Sequence, residues 1–208
     1  MPVRIIPVLQ IDNGKLVKTH KFEKPRYVGD PINAIKIFNE KEVDEIIILD
    51  ISARANKKLN YKLLDQMASE AFMPITYGGG ITRLEEMKTI INLGIERISI
   101  NTSGLEDFEF YRKAIDTFGT STIVASIDFK REKNKYEIKT NGGKTRLKHS
   151  VEHVINQINT IEPGELLITS IDNDGTFTGY PKSKIQNPKS KIQNPKSKIQ
   201  NPKSKIQN

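Results

Sequence analysis

Cysteine and tryptophan are absent from this chain of 208 residues, and histidine occurs only three times. Without cysteine there is no disulfide framework, no thiol nucleophile and no thiolate metal site. His149 and His153 lie four residues apart, but they lack the glutamate and third ligand of a zinc site. We therefore expect them on a solvated helix face, and we expect no metal and no cofactor. No apolar run reaches about 18 residues and no signal peptide is recognisable, which predicts a cytoplasmic protein without a membrane partner.

An excess of positive charge occurs only at the end of the chain. The heptapeptide Pro-Lys-Ser-Lys-Ile-Gln-Asn is repeated in four identical copies from Pro181 to Asn208. This tail holds eight lysines and no acid, whereas residues 1–180 hold 25 basic and 25 acidic side chains. The formal charge of +8 therefore comes from the repeat and does not indicate a nucleic-acid partner.

The repeat also predicts a domain boundary. Each copy has one isoleucine and one proline, too little apolar surface to offset the entropy lost on ordering, so we expect residues 181–208 to be disordered. The heptanucleotide CCAAAAT, repeated in tandem, encodes this heptapeptide as it passes through the three reading frames. We therefore interpret the tail as translated repetitive DNA. Residues 1–180 are then the folded domain.

Short apolar runs alternate with amphipathic stretches along residues 1–180. Near-continuous apolar runs are typical of strands covered on both faces, and they predict strands at 4–10, 46–51, 74–77, 97–100, 122–128 and 166–171. Helical patterns lie between them, at about 31–42, 59–72, 83–93, 105–118 and 148–161. Asp30 before Pro31 predicts a helix start, and Gly94 and Gly119 predict helix ends. A hairpin is predicted over 133–145, turning at Asn141-Gly142-Gly143.

Six strand–helix alternations indicate a parallel α/β fold. A doubly wound sheet is one form of that fold. Polar residues recur at the C-terminal ends of the strands, however, which favours a (β/α)-barrel with its site at that end. Because a complete barrel has eight units in about 250 residues, six units predict an incomplete (β/α)8 barrel.

Glycines and hydroxyl groups after two of these strands predict a phosphate cradle. Tyr77-Gly78-Gly79-Gly80 lies between a strand and a helix, where backbone N–H groups approach an anion closely. Asn101-Thr102-Ser103 closes the next strand with amide and hydroxyl donors. Ordinary tight turns are the alternative interpretation.

Aspartates at strand ends form a second group. Asp50, Asp128, Asp172 and Asp174 each lie at or just after a strand. Partial burial of Asp128 at the mouth would raise its pKa toward the range of a general acid or base; a loop-capping aspartate is the alternative. The run 172–176 is too short for an EF-hand.

Eight collinear motifs together resemble the cyclase subunit of imidazole glycerol phosphate synthase, from about residue 2 to Tyr180. They are Arg4-Ile5-Ile6-Pro7, Val17-Lys18, Gly29-Asp30-Pro31, Leu49-Asp50-Ile51, Gly78-Gly79-Gly80-Ile81, Ser99-Ile100-Asn101, Ser126-Ile127-Asp128 and the run from Leu167 to Thr176. The resemblance implies a (β/α)8 barrel, a lyase of histidine biosynthesis. It receives ammonia from a glutaminase partner and converts a bis-phosphorylated ribonucleotide into imidazole glycerol phosphate and an aminoimidazole carboxamide ribotide.

The resemblance also implies roles for single residues. The catalytic pair is Asp128 and position 10, where Gln10 replaces the family's aspartate. A carboxamide cannot exchange protons near neutral pH, so acid–base catalysis by the pair is lost unless Asp12, on the same side two residues on, takes over. Contacts with substrate or phosphate are implied for Lys18, Asp50, Gly79, Gly80, Asn101, Thr102, Thr169 and Asp174.

A ring of charged residues gates the ammonia path in this family, at the N-terminal end of the barrel beneath the glutaminase. The matching positions are Arg4, Glu45, Arg97 and Glu165, each before or at the start of a strand. Two cations and two anions can pair with each other and exclude bulk water. Ordinary surface ion pairs are the alternative.

Residues 21–41 resemble a branch of the family that works in surface (lipopolysaccharide) synthesis, where ammonia installs acetamidino groups on nucleotide-linked sugars. We favour this branch over the histidine enzyme, so the expected substrate is a phosphorylated or nucleotide-linked small molecule.

A non-catalytic remnant is the competing hypothesis, and it is the one favoured for this particular chain. Six strands leave the first and the sixth with unpaired edges and an open apolar interior. The repeat cannot supply the remaining strands, because every copy contains a proline.

Overall fold

The structure is a computed structural model that describes residues 4–179. The predicted disorder of residues 181–208 lies outside the described residues. In chain order the elements are β1 (Val8–Asp12), β2 (Lys15–His20), β3 (Glu23–Gly29), α1 (Pro31–Glu40), β4 (Ile46–Asp50), α2 (Ala53–Asn56), α3 (Tyr61–Glu70), β5 (Ile75–Gly78), α4 (Leu84–Asn92), β6 (Arg97–Ile100), α5 (Thr102–Glu106), α6 (Phe108–Phe118), β7 (Ile123–Glu132), β8 (Lys135–Thr140), β9 (Thr145–Arg146), α7 (Val151–Ile161) and β10 (Glu165–Ser170). No helix of this part of the chain is long and apolar enough to cross a membrane.

Six parallel strands form the centre of the molecule. They are hydrogen-bonded in the order β1-β4-β5-β6-β7-β10, which is also their order in the chain. A doubly wound sheet would reverse its strand order at a switch point, and this sheet does not. The predicted parallel α/β class is confirmed, and the sequential order is that of six units of a (β/α)8 barrel.

The strands are apolar on both faces because each face packs against a different partner. Ile46 and Ile48 of β4 belong to the large core between the strands and the helices. Ile47 belongs to a second cluster, together with Ile6 just before β1, Val124 of β7 and Leu167 of β10. The members of this cluster therefore come from different parts of the sheet. The sheet therefore curves around its own interior, as the barrel prediction requires.

Local signals placed most helix ends correctly. Asp30 caps α1, since its Oδ1 accepts hydrogen bonds from the amides of Ile32 and Asn33 at 2.9 and 3.0 Å. Gly94 and Gly119 have φ of +94° and +86° directly after α4 and α6. The single helix predicted at 105–118 is wrong: α5 and α6 are separate helices, divided at the extended residue Asp107.

The hairpin after the fifth parallel strand differs in detail from its prediction. β7 runs on to Glu132 and turns at residues 133–134, where Lys133 has a φ of +55°. The turn at Asn141-Gly142-Gly143 joins β8 to the short strand β9 instead. Two adjacent turns of similar chemistry therefore divide a segment that was predicted as one hairpin.

The strands β2 and β3 were not predicted. β3 is exposed at every residue from Glu23 to Val28, so its sequence has no apolar alternation that would indicate a strand. β2 pairs antiparallel with Gln10–Asp12 of β1. Within residues 4–179, β10 pairs only with β7, so the open edge predicted for the sixth parallel strand is present, whereas that of the first is covered in part by β2.

Candidate active site at the C-terminal ends of the strands

A cavity of about 570 Å³ opens at the C-terminal ends of the parallel strands. Each of the six strands contributes a residue that lies within it or just after it. The contributing residues are Gln10, Asp50, Gly78, Asn101, Asp128 and Thr169. The polar residues that suggested a site in the sequence therefore border one space.

Asp128 is the titratable group with the strongest perturbation beside this cavity. It lies on β7 between Thr169 of β10 and Lys139 of β8. The pKa of its carboxyl is raised from 3.8 to about 7, mainly by burial and also by the nearby Asp174 charge, while a hydrogen bond from Thr169 acts to lower it. Asn101 Nδ2 donates to its Oδ2 at 3.2 Å. A carboxyl with a pKa near 7 can both take up and release a proton at neutral pH.

Gln10 and Asp174 meet through a third residue that the sequence did not single out. Gln10 Oε1 accepts hydrogen bonds from the amide and hydroxyl of Thr19, at 3.2 and 2.9 Å. Thr19 Oγ1 also lies 2.7 Å from Asp174 Oδ2, and Thr19 is buried. The same carboxylate oxygen accepts from the amide of Phe22 at 3.0 Å. Asp12 borders the cavity too and bonds its neighbour Asn13.

Gly79 and Gly80 follow β5 along the cavity wall, and no other residue type fits there. Gly79 has a φ of +128°, and a Cβ would lie 2.2 Å from the carbonyl oxygen of Asp50. Gly80 has a φ of +68°, and its Cβ would lie 2.8 Å from that of Ala53. Thr102 begins α5 just after the next strand, and its Oγ1 accepts a hydrogen bond from the amide of Asn141 at 3.0 Å. Close backbone and nearby hydroxyls make this corner suitable for an anion.

Two predicted substrate contacts have other partners. Asp50 is buried, and its Oδ1 accepts from the amide and hydroxyl of Ser52 and from the amide of Ala53, between 2.7 and 3.0 Å. Asp50 therefore caps the turn that follows its strand. A loop-capping role of this kind was the alternative interpretation of Asp128 in the sequence. Lys18 does not border the cavity; its Nζ lies 4.2 Å from the centre of the Phe177 ring.

Charged side chains meet as predicted at the opposite end of the strands. Arg4 bonds both Glu45 and Glu165, and Arg97 bonds the same two glutamates at 2.6 and 2.8 Å. Glu45 is 1% exposed and also accepts from Thr76 Oγ1 at 2.6 Å. Burial raises the pKa of Glu45 although Thr76 and Arg97 act to lower it. These are not ordinary surface ion pairs, since Glu45 is buried and the side chain of Glu165 is only 9% exposed.

The barrel interior joins these two ends. The ring residues Arg4, Glu45 and Glu165 each precede by two positions a member of the inner apolar cluster, and side chains two apart lie on one face of a strand. Ser99 follows the fourth ring residue, Arg97, by the same two positions and pairs with Val124 of that cluster. It lines the cavity, and its buried Oγ has no partner among residues 4–179. Neither Thr19 nor Ser99 was predicted, because an isolated hydroxyl residue in a strand carries no sequence signal.

The two paired histidines lie outside this site. His149 and His153 are exposed, as expected, but only His153 lies on a helix, because α7 begins at Val151. Their rings stack at 4.6 Å beside Phe108. In the part of the chain that the structure describes, no three His, Asp or Glu side chains are close enough to hold a metal ion.

Comparison with known proteins gives consistent matches. The family described as "Histidine biosynthesis protein" matches residues 4–196. Three relatives are named "Putative imidazole glycerol phosphate synthase subunit", with different suffixes. The hisF2 protein of Pseudomonas aeruginosa is 44% identical over 88% of this chain and 74% of its own length. The HisF protein of Leptospira interrogans is 41% identical over 85% of this chain and 71% of its own length. The hisF3 protein of Vibrio vulnificus is 41% identical over 85% of this chain and 69% of its own length.

Proposed function

The chain belongs to the HisF-like histidine biosynthesis family of enzymes, and from this we propose that it is the synthase subunit of a glutamine amidotransferase. Ammonia released by a glutaminase partner enters at the ring of Arg4, Glu45, Arg97 and Glu165. It then reacts in the cavity at the other end of the same interior. The observation that carries this proposal is the alignment of a partly buried charged ring, one apolar layer and a cavity with a near-neutral acid.

The layer between ring and cavity suits ammonia. Ile6, Ile47, Val124 and Leu167 are all buried, so an ammonium ion would have to shed its hydration to pass them, whereas neutral ammonia is small and uncharged. Ser99 Oγ, which is buried without a partner among residues 4–179, offers a hydrogen bond beside Val124 of this layer.

Asp128 acts as the acid–base group. Ammonia attacks an electrophilic carbon of the substrate and forms a C–N bond. The Asp128 carboxylate accepts a proton from that nitrogen and gives it to the carbonyl oxygen, and a second transfer by the same route releases the oxygen as water and leaves a C=N bond. Its pKa of about 7 allows both transfers at neutral pH. Gln10 cannot share this work, since a carboxamide does not titrate in this range.

The substrate is a nucleotide-linked sugar that receives an acetamidino group. The single acid–base group fits a chemistry with fewer proton transfers than the ring closure of the histidine pathway. Arg54 and Lys144 border the cavity and supply cations for a diphosphate near Gly80 and Thr102. Two of the relatives carry the numbered names hisF2 and hisF3, which favours a role beside histidine synthesis. Conversion of the bis-phosphorylated ribonucleotide is the alternative within the same enzyme class.

The glutaminase binds at the ring end. Phe72 is 88% exposed and Ile5 is 60% exposed, and both precede parallel strands at that end. Asn39 fixes the Phe72 loop, because it accepts from the amide of Phe72 at 3.0 Å and donates to the carbonyl of Glu70 at 2.8 Å. A large apolar side chain on a fixed loop is typical of an interface anchor. Phe72→Ser should weaken glutaminase binding about tenfold or more in calorimetry and leave the melting temperature unchanged. Equal affinity would remove Phe72 from the interface.

The decisive experiment uses the full chain, its glutaminase and glutamine labelled with ¹⁵N in the side-chain amide. We expect ¹⁵N to enter a nucleotide-linked N-acetyl sugar, and glutamine consumption to rise when that sugar is present. Asp128→Asn should abolish incorporation, and the exposed Asp116→Asn serves as its matched control. Incorporation only into the bis-phosphorylated ribonucleotide would select the histidine alternative.

A second candidate from another class is a non-catalytic remnant. The observation in its favour is that β10 has one strand partner within residues 4–179, which leaves an edge open for association with another chain. Concentration-dependent oligomers without any glutamine consumption would support this candidate. A sharp cooperative melt of a monomer would contradict it.

A further inference from the structure

The hairpin formed by β2 and β3 makes up one side of the cavity mouth, but little apolar packing holds its outer part there. Phe22 and Pro25 line the cavity. Every residue from Glu23 to Val28, including Pro25, is nevertheless exposed to solvent. Leu16 and Val17 are buried only at the base of the hairpin. The position of its tip therefore depends on hydrogen bonds.

Those hydrogen bonds lead to the loop after β10. The amides of Lys21 and Phe22 donate to the backbone oxygen and to the carboxylate of Asp174, each at 3.0 Å. Gly175 has a φ of +66°, and a Cβ there would lie 2.3 Å from the carbonyl oxygen of Thr19. The loop and the hairpin are thus in backbone contact as well as bonded through Asp174.

Thr19 connects this contact to the floor of the site. Its hydroxyl lies between Asp174 Oδ2 at 2.7 Å and Gln10 Oε1 at 2.9 Å, but it has one hydrogen to donate. Gln10 Oε1 also accepts from the amide of Thr19 at 3.2 Å. Gln10 therefore keeps a hydrogen bond when the hydroxyl donates to Asp174.

We propose that Gln10 is a positioning residue: it orients Thr19 so that Asp174 holds the β2–β3 hairpin over the cavity. We call Gln10, Thr19 and Asp174 the Thr19 latch. A carboxylate at position 10 would compete for the one hydroxyl hydrogen and would place a second negative charge on the far side of Thr19 from Asp174. The neutral carboxamide is the weaker acceptor of the two and adds no charge. The latch closes the mouth beside the substrate, and its opening widens the entrance.

The latch is tested by hydrogen exchange at the amides of Lys21 and Phe22, measured by NMR on the full chain without substrate. Gln10→Glu keeps the size of the side chain and adds the charge. We expect it to raise both exchange rates at least about tenfold, while the amides of β4 and β5 keep their wild-type rates. Rates within about twofold of wild type in a folded Gln10→Glu protein would overturn the proposal.

Two substitutions at Thr19 separate the hydroxyl from the bulk of the side chain. Thr19→Val removes the donor and should raise the same two rates, whereas Thr19→Ser keeps the donor and should restore them. Thr117→Val, at an exposed threonine on α6, is the matched control. If valine and serine behave alike, packing rather than the latch holds the hairpin. Because no substrate or glutaminase is used, this outcome is independent of the proposed amidotransfer.

Discussion

Asp128→Asn should stabilise the folded chain at alkaline pH much more than at acidic pH. The pKa of this carboxyl is raised by burial from 3.8 to about 7 in the folded chain. Between those two values the folded state binds the proton more tightly than the unfolded state. The free energy of unfolding therefore falls as the pH rises from about 4 to about 7 and is level above. An asparagine at this position does not titrate, so the free energy of unfolding of the variant does not fall in this way.

The size of the effect follows from linkage, at about 1.4 kcal/mol for each pKa unit. Ionisation of Asp128 lowers the free energy of unfolding by roughly 2 kcal/mol at pH 5 and by about 4 kcal/mol at pH 8. The advantage of Asp128→Asn should thus grow by about 2 kcal/mol between the two pH values. Lost bonds to Asn101 and Thr169 affect both pH values alike and cancel in the difference.

Urea denaturation followed by far-ultraviolet circular dichroism at pH 5 and pH 8 measures this difference directly. The exposed Asp116→Asn is the control and should show no pH-dependent gain. An Asp128→Asn protein whose stability relative to wild type is the same at both pH values would refute the reasoning. Asp128 would then ionise as readily in the fold as in water.

Two further substitutions test the glycine corner and the ring, each with a matched control. Gly79→Ala should cost about 2 to 4 kcal/mol in urea denaturation, from strained backbone plus a clash with Asp50. Gly119→Ala, whose added Cβ meets nothing within 4 Å, should cost only about 1 kcal/mol; equal costs would mean that Gly79 is not crowded. Arg97→Met should cost about 3 kcal/mol because it leaves buried Glu45 short of a cation, whereas the exposed Arg83→Met should cost under about 1 kcal/mol. A neutral Arg97→Met would show that Glu45 is protonated.

The sequence predicted the parallel strands well because their signal is strong and local. Ile46-Ile47-Ile48 is apolar at every position, since one face meets the helices and the other the barrel interior. The charged ring could be predicted equally well from the sequence. A residue at the start of a strand lies at the N-terminal end of the barrel, whatever its distant contacts are. Neither required knowledge of distant contacts.

The outer hairpin and the roles of single acids could not be read in the same way. β3 is solvated on both sides and so carries no pattern. Asp50 and Asp128 both follow apolar strands, yet Asp50 bonds the next turn while Asp128 extends between two neighbouring strands. Which role each aspartate takes depends on the backbone that follows it. Sequence position alone could not decide that.

The position of Asp128 within β7 divides the site into a fixed part and a part that can open. β7 pairs with β6 before Asp128, with β8 from Asp128 onward, and with β10 along its other edge. The main chain at the acid is therefore tied on both sides, and its amide should be among the slowest to exchange with solvent. The β2–β3 hairpin on another side of the cavity is held at its tip by a few hydrogen bonds to Asp174 in the loop after β10. Entry of a ligand can then move this hairpin without disturbing the alignment of the acid.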